Sequence, residues 1–183
     1  HGDNDILVSG FAEPFLSDLR RAAENMGLQT VATQGEGGPG QFEINFHHAS
    51  PLKAADDHVI FKHLAKRLAY QQDLSVTFMA KIDPALPGSS CHIHFSICDP
   101  KGSPVSGTRE HGLSDTGRAF LAGLVDNTND FMPLFCPYLN SYRRLQPESF
   151  APSNCTDSTD CTVQFHQVYR LHSTDCTVQL YRF

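Results

Sequence analysis

The chain has 183 residues, a formal net charge of -6 at neutral pH and a hydrophobic fraction of 40%. This length suffices for one globular domain, and the composition fits neither a fibrous nor a disordered class. The acidic balance argues against a nucleic-acid partner, because phosphate binding requires clustered lysines and arginines. No apolar run approaches the roughly 18 residues of a membrane helix, and the chain does not open on a basic and then apolar leader, so we expect a cytoplasmic protein without a membrane partner.

The first part of the chain alternates between helical and strand patterns. Apolar residues at helical spacing predict an amphipathic helix over 14–26, and a strand-like piece follows at 28–33. After the turn-rich stretch 35–40, Phe42, Ile44 and Phe46 alternate with polar residues, which is the period of a half-buried strand. Next, Ser50 and Pro51 predict the start of a long helix that runs to about Gln72. The predicted buried stripe of this helix consists of Leu52, Ala55, Val59, Ile60, Leu64, Leu68 and Ala69.

The second part continues the alternation. Residues 74–80 and 91–98 are rich in strand formers and are separated by a Pro/Gly loop. A further helix is predicted over 115–131, starting from Ser114. The residues predicted to face inward from it are Phe120, Leu121, Leu124, Val125 and Phe131. Helices alternating with strands indicate a mixed α/β or an α+β domain.

Six cysteines occur, but none forms a Cys-x-x-Cys pair or a zinc-finger spacing. In a reducing compartment we expect Cys91, Cys98 and Cys136 to be small buried side chains.

The end of the chain contains an identical heptapeptide twice, at Ser158–Gln164 and at Ser173–Gln179. Two strand-like copies could pair as a hairpin, yet they are too few and too short for a solenoid. We therefore predict one domain over 1–154 and an atypical repeated tail over 155–183.

Two glutamates flank the turn after the first strand. Glu36 and Glu43 are an odd number of residues apart, so a continuous strand would place them on opposite faces. The Gly-Gly-Pro-Gly turn between them breaks that continuity, so both carboxylates can point into one cleft, where a divalent cation would find oxygen ligands. The alternative is that both are solvated surface residues.

Histidines and arginines supply further candidates. His92, His94 and Ser96 share one face of the predicted strand 91–98, and an imidazole there could bind a metal or a nucleotide. The alternative is a pair of hydrogen-bonded core histidines. Arg143 and Arg144 could clamp a carboxylate or a phosphate, although paired surface arginines are common.

Four ordered segments together resemble the glutamine synthetase family. They are Glu36-Gly-Gly-Pro-Gly-Gln-Phe-Glu43-Ile-Asn45, Thr77-Phe-Met-Ala-Lys81, Gly88-Ser-Ser-Cys-His92-Ile-His94-Phe-Ser96, and Asn140-Ser-Tyr-Arg-Arg144 through Phe150-Ala-Pro152. The resemblance covers about residues 5–154, and the forms of the first and last segments are especially similar to the branch that includes γ-glutamylpolyamine ligases.

This resemblance implies an α+β catalytic domain, in which an antiparallel sheet is flanked by helices and both ends of the domain are truncated. It implies an ATP-dependent ligase that joins the glutamate side-chain carboxylate to ammonia or an amine through a γ-glutamyl phosphate, with Mg²⁺ or Mn²⁺ as cofactor. It also implies a homo-oligomer. The roles carried over by position are Glu36 and Glu43 as ligands of one ion, His92 as a ligand of the other, His94 and Ser96 as ATP contacts, and Gly88 and Arg144 as glutamate contacts; no residue is assigned to proton transfer.

The chain departs from the family pattern at several positions. Pro87 stands where the family has asparagine, Ser90 and Cys91 replace a Gly-Met pair, and Glu148 replaces a glycine. A proline fixes φ and removes a backbone donor, so it changes the geometry of the substrate loop. Only two of the three expected ligands of one ion and one of three for the other are present. A non-catalytic relative or fragment is therefore the alternative function.

Overall fold

A computed structural model describes residues 10, 12–93, 97–108, 112–144 and 174–182. The helices are α1 (Glu13–Asn25), α2 (Pro51–Gln71), α3 (Asp115–Asp126), α4 (Thr128–Phe135) and α5 (Leu139–Tyr142). The strands are β1 (Thr30–Gly35), β2 (Gln41–Phe46), β3 (Leu74–Thr77), β4 (Cys91–Ile93), β5 (Gly107–Thr108), β6 (Gly112–Leu113) and β7 (Thr174–Arg182).

Five strands form one antiparallel sheet, in the order β1-β2-β7-β3, with β4 also pairing to β7. Because β2 and β4 both pair with the segment 175–176, β4 lies along the edge of β7 opposite β2, and β3 continues along that same edge. The expected antiparallel sheet with flanking helices is therefore confirmed.

The core lies between this sheet and the helices α1 and α2. Every second residue of β2 contributes to it, because alternate side chains of a strand point to one face. The fully buried Phe61 of α2 meets Phe46 edge-on, with ring centroids 4.9 Å apart. The buried core residues are Ala12, Phe15, Leu16, Leu19, Ala23, Leu28, Phe42, Ile44, Phe46, Phe61, Ala65 and Ala69. The period-2 prediction for β2 is thus confirmed. The opposite face of β2 carries its polar residues.

The stripe predicted for the long helix is partly wrong. Leu52, Val59 and Ile60 are exposed, whereas Leu64 and Leu68 pack against the core as expected. Ala69 is buried as predicted, but the other buried residues of the helix are Ala54, Phe61 and Ala65, which the predicted stripe did not include. Helical spacing fits two adjacent faces of an apolar helix almost equally well, and the small alanines allow α2 to approach its neighbours closely.

The helix predicted over 115–131 is two helices, α3 and α4. Asn127 Nδ2 donates to the Gly123 carbonyl at 2.7 Å, and Thr128 Oγ1 donates to the Leu124 carbonyl at 2.7 Å. Short polar side chains that bond carbonyls four residues back compete with the helical ladder, which accounts for the break. The start at Ser114 is confirmed, since its hydroxyl accepts the Gly117 N–H at 3.0 Å.

The inward orientation predicted for three residues of these helices is wrong. Phe120, Val125 and Phe131 are exposed, at 40%, 64% and 40% of their surface. A helical period shows which residues share a face, but it does not show whether another element covers that face.

Cys91 and Cys136 are buried as expected, but Cys98 is exposed. Cys98 lies on an isolated bridge to Pro104 within a surface connection, so the general tendency of reduced cysteines to be buried does not hold there.

The second copy of the repeated heptapeptide overlaps β7, whose backbone pairs with three other strands. The division of the chain at residue 154 stays a prediction. The first copy, Ser158–Gln164, lies outside the described residues, and so does the predicted hairpin between the copies.

Candidate functional site

Polar residues occupy the face of the sheet that points away from α1 and α2. Glu43 pairs with Thr177, and His92 pairs with Asp175. Positions two apart on one strand lie on the same face, so Glu43 and His92 share a face although β7 separates their strands. Because Ile44 points into the core, this shared face is the one opposite the helices.

The Glu43 carboxylate is held in a defined orientation. The side chain is buried, with 7% of the residue exposed. Its Oε1 accepts hydrogen bonds from Gln34 Nε2 at 2.9 Å and from Asn45 Nδ2 at 3.0 Å. Its Oε2 lies 4.0 Å from Nδ1 of His92. Two neutral amides therefore fix one oxygen, while the other oxygen faces the histidine.

The charge of Glu43 is unusual for a buried position. Within the described part of the chain, no lysine or arginine forms an ion pair with it, and only the imidazole of His92 approaches as a potential cation. A buried carboxylate normally needs a cationic or metallic partner to offset its loss of hydration. In the described part of the chain, Glu43 is therefore held by two amide donors on Oε1 and has the imidazole of His92 beside Oε2.

Glu36 lies at the end of the β1–β2 hairpin, where the chain leaves the sheet for the turn. Its backbone N–H donates to the Gln41 carbonyl at 2.9 Å, and the Gln41 N–H donates to the Gly38 carbonyl at 3.1 Å. These two bonds close the Gly-Gly-Pro-Gly turn. As the sequence predicted, the turn ends the strand continuity that would otherwise hold Glu36 and Glu43 on opposite faces.

A second segment, the loop 83–90 before β4, packs against this turn. Gln41 Nε2 donates to the Gly88 carbonyl at 3.0 Å and lies 3.3 Å from Ser89 Oγ. The Ser89 N–H donates to the Ala80 carbonyl at 2.9 Å. A Cβ added to Gly37 would be 3.6 Å from Cγ of Pro87, so the proline ring lies against the turn.

Arg144 lies directly over Gly88. A Cβ at position 88 would lie 2.6 Å from Arg144 Cδ and 2.7 Å from its Nε, and it would also collide with the Ala80 carbonyl. Only glycine allows this approach. Burial lowers the pKa of Arg144 to about 10, while the nearby Cys136 and Glu36 oppose that shift. The guanidinium is therefore a half-buried cation at neutral pH. It lies close enough to Glu36 for the negative charge of that side chain to stabilise it.

The chain segment before Arg144 is anchored to the same loop region. The Lys81 N–H donates to Asn140 Oδ1 at 2.8 Å, and Asn140 Nδ2 donates back to the Lys81 carbonyl at 2.6 Å. Lys81 Nζ donates to the Leu86 carbonyl at 2.5 Å. Asn140 thus fixes the position of the helix α5, which leads to Arg144.

Cys136 is buried beside Arg144. Burial raises the pKa of its thiol, and the positive charge of Arg144 opposes that rise. The net direction is upward, so the thiol is protonated at neutral pH. This agrees with its interpretation as a small structural side chain.

Of the seven residues to which the resemblance assigns roles, five lie within the described part of the chain. Glu43 lies beside His92, Arg144 packs over Gly88, and the charge of Glu36 acts on Arg144. His94 and Ser96, the predicted ATP contacts, lie outside the described residues. Across the described ranges there is no cluster of three or more His, Cys, Asp or Glu side chains arranged to hold a metal.

Three further polar residues of the site were not singled out in the sequence. Gln34 and Asn45 orient Glu43, and Gln41 joins the turn to the loop. The available signal was the period-2 alternation of β2, which puts Gln41, Glu43 and Asn45 on one face.

No described helix combines the length and apolarity needed to cross a bilayer.

Comparison with known proteins places these segments in context. The family model for the glutamine synthetase catalytic domain matches residues 4–161. The chain is 41% identical over 151 residues to gamma-glutamylethanolamide synthetase GlnA4 of Streptomyces coelicolor, a match that covers 82% of this chain and 32% of the relative. It is 36% identical over 164 residues to glutamate–isopropylamine ligase of a Pseudomonas species, covering 88% of this chain and 36% of that protein.

Solved structures give the same likeness. GmaS without ligand superposes with a TM-score of 0.74 at 32% identity, covering 79% of this chain and 34% of that one. GmaS in complex with ADP gives a TM-score of 0.73 at 31% identity, covering 80% and 34%. The chain therefore spans about a third of the length of the relatives it matches.

Proposed function

Because the chain belongs to the family of the glutamine synthetase catalytic domain, we propose that it carries part of the active site of an ATP-dependent carbon–nitrogen ligase. The reaction joins the side-chain carboxylate of glutamate to an amine or to ammonia through a γ-glutamyl phosphate. The observation that carries this proposal is that Arg144, which packs over Gly88, lies close enough to Glu36 for their charges to interact, and that Glu36 belongs to the hairpin that also carries Glu43 beside His92. A candidate carboxylate-binding cation thus neighbours the hairpin that carries the candidate metal ligands.

The residues present are of the types that bind divalent cations. Carboxylate oxygens bind Mg²⁺ and Mn²⁺, and an imidazole nitrogen binds Mn²⁺. Oε2 of Glu43 lies 4.0 Å from Nδ1 of His92, so two ions held by these side chains would be neighbours. Glu36 and Glu43 would be ligands of one Mg²⁺ or Mn²⁺ and His92 a ligand of the other, and the bound ions would neutralise the negative charge of the ATP phosphates.

Arg144 and Gly88 would bind glutamate. A guanidinium presents paired N–H donors that match a carboxylate, and a half-buried one binds it with less competition from water. Because Arg144 remains a cation at neutral pH, it would hold the substrate carboxylate without any change of protonation. The carbonyl of Gly88 would accept a hydrogen bond from the substrate ammonium group.

ATP binding rests on the family and on the predicted contacts at His94 and Ser96. That a structurally similar protein, GmaS, forms an ADP complex supports this assignment. As the acceptor we propose an amine ahead of ammonia, because two of the similar relatives are named as ligases for ethanolamine-type and isopropylamine acceptors. We also propose that the protein is cytoplasmic and works as a homo-oligomer.

Turnover tests the proposal directly. Phosphate release by the chain would be measured with ATP, glutamate and Mn²⁺, in parallel with ammonia, ethanolamine and isopropylamine. We expect phosphate release that depends on both glutamate and the acceptor. In Arg144→Ala the release should fall at least about tenfold, because a charge-assisted contact with the substrate is lost. In Arg21→Ala, on the exposed face of α1, the release should persist. Absence of glutamate-dependent release, together with intact metal binding, would favour the alternative of a non-catalytic relative.

A further inference from the structure

We propose that Gln41 is a positioning residue that couples the metal-binding turn, residues 36–40, to the glutamate-binding loop, residues 83–90. This inference rests on the function proposed above for those two segments. The Gln41 side chain is almost fully buried, with 3% of the residue exposed. Its amide is hydrogen-bonded to both segments.

The two ends of the Gln41 amide perform different tasks. Its Oε1 accepts the Gly38 N–H at 2.8 Å, which stiffens the turn beyond the two backbone bonds already described. Its Nε2 donates to the Gly88 carbonyl at 3.0 Å and lies 3.3 Å from Ser89 Oγ. A movement of the turn is therefore transmitted to the loop through one rigid planar group.

The bond to Gly88 also orients a group that would contact substrate. A carbonyl oxygen has two lone pairs, and Gln41 occupies one of them. The other remains available for a cationic donor such as an ammonium group. With Arg144 packed over the same glycine, the direction of this carbonyl sets where an amino-acid substrate can lie relative to the guanidinium.

The chemistry of the amide makes the two links separable. A carboxylate in Gln41→Glu still accepts from the Gly38 N–H, but it cannot donate to the Gly88 carbonyl. The aliphatic side chain of Gln41→Leu does neither. Gln71→Glu, at the exposed end of α2, adds the same charge outside both segments and serves as the matched control.

Amide hydrogen exchange of the metal-free chain tests the link itself. Two amides report on it, namely Gly38 N–H for the turn and Ser89 N–H for the loop. In Gln41→Glu we expect Ser89 to exchange about five- to tenfold faster, as loss of one buried hydrogen bond predicts, while Gly38 stays within about twofold of wild type. In Gln41→Leu both amides should exchange faster. Unchanged exchange of Ser89 in both variants would overturn the proposal.

Exchange in the presence of Mg²⁺ tests the coupling. In the wild type and in Gln71→Glu, we expect Mg²⁺ to slow exchange at both Gly38 and Ser89. In Gln41→Glu it should slow exchange at Gly38 alone. Equal slowing of Ser89 in Gln41→Glu would show that the coupling bypasses Gln41, and it would overturn the proposal.

Failure of the proposed metal site can be distinguished from failure of the Gln41 link. If Mg²⁺ changes exchange at neither amide in the wild type, and Glu43→Ala behaves identically, the metal site of the proposed function fails and the coupling fails with it. The metal-free comparison still decides whether Gln41 holds the turn and the loop together.

Discussion

Replacing Gly88 with alanine should disrupt the contact between the loop 83–90 and Arg144. The new methyl group would lie 2.6 Å from Arg144 Cδ and 2.7 Å from Arg144 Nε, and it would collide with the Ala80 carbonyl. The arginine side chain can move, but the carbonyl is backbone and also accepts the Ser89 N–H at 2.9 Å. Overpacking costs about 1–3 kcal/mol and a lost hydrogen bond about 1 kcal/mol, so we expect a destabilisation of about 2–4 kcal/mol.

Urea unfolding followed by circular dichroism measures this loss. For a chain of this size, a slope of roughly 2 kcal/mol per molar urea turns the expected loss into a midpoint shift of about 1–2 M. Gly123→Ala is the matched control, because a Cβ at Gly123 in α3 meets nothing within 4 Å. That control should stabilise the chain by about 0.5–1 kcal/mol through helix propensity. Equal stability of the Gly88 and Gly123 variants would refute the close packing of Arg144 on the loop.

Two further predictions concern α2. Burial, reinforced by Lys62, lowers the pKa of His58 to about 4, so the folded state holds this imidazole neutral while the unfolded chain binds a proton below about pH 6.5. The free energy of unfolding should therefore fall as the pH drops below about 6.5, by about 1–2 kcal/mol between about pH 8 and about pH 5. In urea titrations, His58→Gln should remove this pH-dependent loss of stability, and His63→Gln should not. Phe61→Ala should cost about 3–5 kcal/mol in the same assay, whereas Tyr70→Ala, 76% exposed on the same helix, should stay within about 0.5 kcal/mol; similar costs for both would contradict the assigned core.

Local patterns predicted the parts of the fold that depend on one element at a time. The alternation around Phe42 placed β2 correctly, and Ser114 marked the start of α3 because its hydroxyl can cap a helix. Faces that depend on a second element were less predictable. Leu52 and Val125 carry the right spacing for burial, yet no pattern in their own helix shows which neighbour will cover them.

The site shows the same limit. Sequence motifs identified Glu43 and His92 as candidates. The 4.0 Å distance between their side chains, however, depends on the pairing of both β2 and β4 with β7, which lies about 80 residues after β4 in the chain. The role of Gln41 was hidden for a similar reason. Its hydrogen bonds reach Gly88 and Ser89, and contacts between segments so far apart in sequence leave no local periodicity.

Titration with Mn²⁺ tests the central claim most directly, namely that the polar face of the sheet holds a divalent cation. Isothermal titration calorimetry would compare the wild type with Glu43→Ala and with Glu24→Ala, an exposed glutamate on α1 in the opposite layer. Loss of a carboxylate ligand should weaken binding by about tenfold or more in Glu43→Ala, and Glu24→Ala should bind as the wild type does. Equal affinities in all three proteins would contradict the site.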